Sequence, residues 1–148
     1  MIRVHGTSVA LAGTGVLLRG PSGSGKSDLA VRLIDEGARL IADDQTELRR
    51  FGDELRMSAP AAIAGRLEVR GVGILPVPSV ASAALRLVVD LVAEAALERL
   101  PEPQSCELEG LSFPLLALAP FSASAPAKLR LALAALAAPI GVGALSAP

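Results

Sequence analysis

Gly20-Pro21-Ser22-Gly23-Ser24-Gly25-Lys26-Ser27 is the segment that decides the fold of this chain, because its spacing makes a specific physical demand. It fits G-x-x-x-x-G-K-[ST] at every fixed position. Glycines let the backbone curl with its N–H groups turned inward, where side chains would block an anion. A helix beginning directly afterwards adds unpaired N–H groups and the positive end of its dipole. In such a loop the lysine reaches the β- and γ-phosphates of ATP, and the next hydroxyl ligates Mg²⁺. The alternative is a Gly/Ser-rich turn that happens to precede a helix. Context decides against it: "VLLR" before the loop reads as a strand, and Leu29, Ala30, Leu33 and Ile34 recur at helical spacing up to Gly37. Residues 20–27 are therefore read as the nucleotide-binding segment.

A Mg²⁺-nucleotide site needs a further acid. "RLIADD" is an apolar strand ending in two carboxylates, as in a Walker B strand. Asp43 then stands in or near the metal's shell, and Asp44 faces the nucleophile. Asp-Asp after a strand is also a common solvated turn. Its place downstream of a phosphate loop favours the functional reading.

Outward from these motifs the chain reads as α/β. "TSVALAG" and "TGVLLRG" form a hairpin or two adjacent strands, and "TELRRF" and "ELRMSA" a second hairpin around Gly52-Asp53. "RLEVRGVGILPV" is strand-like, broken by Gly71 and Gly73, with Glu68 and Arg70 on one side as an i, i+2 pair. "ALRLVVDLV" is a strand, "AEAALERLPEP" one or two helical turns, and "FPLLALAP" a short strand. Ser124 and Pro126 start a closing helix that stops at Pro139.

Composition narrows the function classes. The 148 residues are 51% hydrophobic and 20% charged, which excludes a disordered chain and fits one domain. With three Phe and no Trp or Tyr, the chain lacks platforms for stacking on single-stranded nucleic acid. A net charge of -1 gives no general attraction to polyanions, so no nucleic-acid partner is expected. The lone Cys106 reads as a small apolar filler in a reducing compartment. The start lacks a signal-peptide pattern, and residues 131–148 are too rich in Ala, Gly and Pro for a membrane span. The expectation is a cytoplasmic protein with no membrane partner.

Taken together, "VHG", "GPSGSGKSD", "IADD" and "LEVRGVGI" resemble the catalytic C-terminal domain of HPr kinase/phosphorylase, closely over residues 3–73 and loosely beyond. The resemblance implies an α/β, P-loop-containing kinase domain with a mixed β-sheet and few helices. It implies an ATP-dependent serine kinase acting on an HPr-like phosphocarrier protein, and a homohexameric assembly. Residue by residue, His5 matches a histidine beside the carboxylates, Lys26 the phosphate-binding lysine and Ser27 the metal-ligating serine. Asp44 matches the general base with Asp43 its neighbour, and Glu68 matches a glutamate that helps hold Mg²⁺. Arg99 matches an active-site arginine across a shortened segment. In the family's terms this is a short form without the N-terminal domain, with the catalytic domain over residues 1–138 and a flexible tail over 139–148.

One departure concerns the arginine-bearing P-x-x-P-G-R loop that the family ties to dephosphorylation. "APFSASAPAK" stands in its place, with no arginine until Arg130 and only Lys128 as a cation. Two rival readings follow from the residues. A small-molecule kinase or simple NTPase shares the loop without needing "LEVRGVGI". A nucleotide-binding regulatory module binds ATP without transferring phosphate.

Overall fold

Strand β3 (Thr14–Arg19) lies at the heart of a mixed sheet because both its faces are apolar: Val16 and Leu18 face one core, Leu17 the other. The computed structural model describes residues 1–137, so the expected tail over 139–148 lies outside the described residues. Before β3 come β1 (Ile2–His5) and β2 (Thr7–Leu11). After it come α1 (Lys26–Asp35), β4 (Arg39–Ala42), β5 (Gln45–Phe51), β6 (Glu54–Ser58), β7 (Arg66–Val69) and β8 (Gly73–Pro76). The chain continues through β9 (Ser82–Leu91), β10 (Gln104–Leu108), β11 (Leu111–Leu118) and α2 (Ala125–Ala137).

Among the described residues the main sheet runs β1-β5-β6-β9-β3-β2-β4, with β10 and β11 joined to it through β9. β9 pairs in parallel with both β3 and β11 and antiparallel with β6. β7 and β8 form a separate antiparallel hairpin. This is the mixed sheet with few helices that the resemblance implies. One apolar layer packs the sheet against α1 and α2 through Leu29, Leu33 and Leu129; the other face buries Leu17, Leu48, Leu55, Met57 and Val88. Leu, Val, Ile and Ala carry nearly all of both layers, with Phe113 the buried aromatic.

Two pairings place the site. β2 is antiparallel to β3 on one side and to β4 on the other, so β3 and β4 run in the same direction one strand apart. Their C-terminal ends therefore emerge at one edge of the sheet: the phosphate-type loop from β3, the acid pair from β4. Between them the chain passes from β1 to β2 at Gly6, where a Cβ would sit 2.9 Å from the Leu18 carbonyl oxygen. Only glycine allows that approach without displacing backbone.

The structure differs from the sequence reading at several elements. β1 and β10 are strands that patterning did not announce. The break in "RLEVRGVGILPV" is a turn, so this stretch is a hairpin, and Arg70 lies in the turn rather than on a strand beside Glu68. "AEAALERL" contributes a single 3-10 turn, Glu94–Ala96. No helix of the described residues is long and apolar enough to cross a membrane. Cys106 is half-buried against the second apolar layer, and burial pushes its thiol pKa up, in keeping with a filler role.

Candidate functional site

The loop begins where β3 ends. Gly25 caps α1 with φ 100°, a left-handed conformation that suits glycine, and Gly23 turns with φ 82°. Lys26, the first residue of α1, is only 6% exposed. Its Nζ donates to the carbonyl oxygens of Gly20 at 2.7 Å and Pro21 at 3.1 Å. The ammonium is thus drawn into the loop's own curve, held by carbonyls that a phosphate oxygen can replace.

Asp43 is tied to that loop directly. Its Oδ1 accepts from Ser27 Oγ at 2.8 Å and from Thr7 Oγ1 at 3.2 Å, and its Oδ2 accepts from the Glu68 N–H at 3.0 Å. One carboxylate therefore touches α1, β2 and β7. Asp44 follows in the left-handed region with φ 67°, a conformation Asp tolerates better than most residues. Three bonds hold it there. Its N–H donates to Thr7 Oγ1 at 3.1 Å, its carbonyl accepts from the Gly6 N–H at 2.8 Å, and its Oδ1 lies 2.8 Å from His5 Nε2. The Asp44 side chain is 60% exposed, so the carboxylate is fixed in direction yet open to an incoming group.

The β7–β8 hairpin closes the other wall. A cleft of about 660 Å³ is lined by Ser22, Gly23, Gly25, Lys26, Ser27, Asp43, Asp44 and Glu68, among others. Arg70 and Gly71 of the hairpin turn also line it. A larger apolar share belongs to a separate hollow near the end of α2, lined by Leu33, Arg86, Arg130 and Leu133, which holds none of these groups.

The structure thus brings together the loop, Lys26, Ser27, Asp43, Asp44, His5 and Glu68. His5 reaches the cluster through Asp44 rather than by lining the cleft. Gly20, Pro21 and Ser24 shape the loop from outside the lining, with Pro21 O accepting from the Ser24 N–H at 3.0 Å. Arg99 is not brought in: it lies exposed between the 3-10 turn and β10 and does not line the cleft.

The donor set fits a hard divalent cation. Ser27, Asp43 and Glu68, each with an oxygen-bearing side chain, line the same cleft. Among the described residues no group of three or more His, Cys, Asp or Glu is gathered into a metal cage. Mg²⁺ does not require one, since it commonly keeps several waters and takes one or two carboxylates together with phosphate oxygens.

Sequence reasoning missed Thr7. It is fully buried, and its single hydroxyl donates to Asp43 while accepting from the Asp44 N–H. Below it a buried seam continues through Ser8 Oγ, Thr46 Oγ1 and the Gly6 carbonyl. Thr7→Val keeps the shape but orphans the Asp44 N–H. The expected cost is about 1–3 kcal/mol of unfolding free energy in a denaturant titration, with Thr7→Ser close to wild type. An unchanged Thr7→Val midpoint would show that the hydroxyl does not fasten the acid pair.

Residues 1–105 match the family model described as the HPr serine kinase C-terminal domain. The chain is similar to the HPr kinase/phosphorylase of Caldanaerobacter subterraneus subsp. tengcongensis, 45% identical over 97 residues, 63% of this chain and 32% of that protein. It is similar to the same-named protein of Alkaliphilus metalliredigens, 41% identical over 114 residues, 74% of this chain and 36% of that one. The chain thus spans about a third of the length of these relatives. Its fold is similar to the solved structure of the Hpr(Ser) kinase/phosphatase from Coxiella burnetii, with a TM-score of 0.79. That match covers 88% of this chain and 93% of the other at 24% identity.

Proposed function

The chain belongs to the HPr serine kinase C-terminal domain family, and from that premise we propose that it is an ATP-dependent protein serine kinase acting on an HPr-like phosphocarrier protein. The observation that carries the reading is the 2.8 Å contact between Ser27 Oγ and Asp43 Oδ1, which joins the phosphate loop to the acid pair across one strand. In this reading the main-chain N–H groups of residues 20–27 and the Lys26 ammonium grip the terminal phosphates of ATP. Ser27, Asp43 and Glu68 are the residues that would hold Mg²⁺, which would screen the phosphate charge.

Asp44 takes the proton from the incoming serine hydroxyl as the new O–P bond forms. The bond from the γ-phosphorus to its bridging oxygen breaks in line, and ADP leaves. His5 orients the Asp44 carboxylate. In the phosphorolytic direction inorganic phosphate attacks the phosphoserine phosphorus, the serine O–P bond breaks as protonated Asp44 returns its proton to the serine oxygen, and pyrophosphate leaves.

An open site suits a hydroxyl carried on a protein. Glu68 and Asp44 are exposed, and Val72 and Ile74 beside the cleft mouth are each 68% exposed. These apolar side chains offer the carrier a contact at the hairpin tip. A homohexameric, cytoplasmic enzyme is part of the same proposal.

Incubating the purified chain with Mg²⁺, an HPr-like protein and ATP labelled at the γ-phosphate tests it. Label on a serine of the carrier is the expected result. Label only in free phosphate or on a metabolite would favour an NTPase or small-molecule kinase, and tight binding without turnover a regulatory module. Unlabelled phosphoserine carrier with inorganic phosphate forms the arm that tests dephosphorylation.

A further inference from the structure

An aromatic side chain stands at the cleft with no part in the phosphate chemistry. Phe121 is 70% exposed, lines the same cleft as Lys26 and Ser27, and is the aromatic residue there. Its position is built. An added Cβ on Gly25 would lie 2.9 Å from Phe121 Cζ and 3.0 Å from Pro120 Cβ, so the segment is seated directly on the loop's last glycine. The backbone on both sides of the ring is held by one guanidinium: Arg32 of α1 donates to the Pro120 carbonyl and, at 3.3 Å, to the Ser122 carbonyl. Arg32 is itself braced by Asp28 at 2.9 Å.

The direction of this clasp matters. Ser27 points to Asp43, whereas Arg32, five residues on, points to the 120–122 segment. At 100° per residue these two directions lie about 140° apart around α1. The acids and Phe121 therefore stand on different flanks of the same helix N-terminus. The cleft that holds the acids runs on to the ring, so a nucleotide whose γ-phosphate faces the acids has that flank open to its nucleoside end. An exposed aromatic ring whose backbone is clamped in place serves a planar ligand well, because little freedom remains to be lost on contact.

Resting on the nucleotide reading of the site, we infer that Phe121 is the stacking wall for the base of the bound nucleotide, positioned by the Arg32 clasp. Every base offers a π-face, so the wall gives affinity with little discrimination between ATP and GTP. The ring forms no bond to phosphate, so a ligand without a base gains nothing from it.

The test compares equilibrium binding of Mg²⁺-ATP and Mg²⁺-tripolyphosphate to wild type, Phe121→Ala and Phe121→Tyr. Phe121→Ala is expected to weaken Mg²⁺-ATP about tenfold, within the range for losing one base–aromatic stack. It should leave tripolyphosphate within about twofold, and Phe121→Tyr should bind ATP like wild type. Unchanged ATP affinity in Phe121→Ala overturns the inference, including the case where only the KM for the protein substrate rises. Equal weakening of both ligands also overturns it, since the ring would then merely shape Gly25 and the loop. If wild type binds neither ligand, the phosphate-loop reading itself fails, a result distinct from those two.

Discussion

Asp44→Asn is expected to reduce phosphotransfer to the carrier about 10³-fold while leaving Mg²⁺-ATP affinity within about twofold. Asn matches Asp in shape and accepts the left-handed backbone that Asp44 adopts at φ 67°. Its N–H and carbonyl keep their bonds to Thr7 and Gly6, so the local fold survives the change. The variant loses the ability to take up the hydroxyl proton, a contribution of roughly 10²–10⁴ in a positioned base. Single-turnover transfer with labelled ATP, paired with equilibrium ATP binding, measures the two effects separately. Transfer within tenfold of wild type would place the base elsewhere. A parallel loss of ATP binding would make Asp44 a nucleotide contact instead.

Lys26→Ala is expected to act on the other half of the site. Lys26 is nearly buried and delivers its only charge to the curve of the loop, 2.7 Å from the Gly20 carbonyl oxygen. Without it the main-chain N–H groups face two or three phosphate charges with no cation among the loop's side chains. Loss of one such preorganised group costs about 10²–10³ in rate, and ATP affinity should fall by about 10²-fold as well. Lys26→Arg is not expected to rescue, because a planar fork does not fit where a point charge is drawn into a tight curve. Thermal melts establish that the variants fold. Wild-type affinity in Lys26→Ala would contradict the phosphate-loop assignment altogether.

The two variants also separate the proposed roles. Asp44→Asn should bind and not transfer; Lys26→Ala should fail at binding first. A regulatory module without phosphotransfer predicts no difference in turnover between wild type and Asp44→Asn.

Legibility in the sequence followed the physics of each element. The loop, α1 and the two hairpins around Gly13 and Gly52 were readable because glycine, spacing and apolar period act locally. β1 and β10 were not. β1 is mostly exposed and lies at the sheet's end, and β10 is mostly exposed on the outer side of β11. A strand of four or five residues that half-buries only one or two side chains carries too little alternation to detect. The Arg99 expectation rested on alignment across a shortened segment, and that segment leaves Arg99 exposed, outside the cleft lining.

What the sequence determined by itself was the kind of chemistry: a curled loop with a lysine and a hydroxyl, followed by a helix, and carboxylates ending an apolar strand. The pattern of an apolar strand ending in an acid does not by itself say which carboxylate. "RLVVD", ending at Asp90, has the same pattern as "RLIAD", ending at Asp43, and both strands run alongside or near β3. The tertiary structure separates them. Arg19 clasps Asp90 through two bonds, 2.7 and 3.0 Å, and the Asp90 hydrogen bond raises the Arg19 pKa, whereas Asp43 meets Ser27 and the hairpin. Thr7 was illegible for the same reason, since its partner lies 36 residues away. Strand order sets which ends share an edge, and no local pattern encodes a contact that only the pairing of β2 with both β3 and β4 creates.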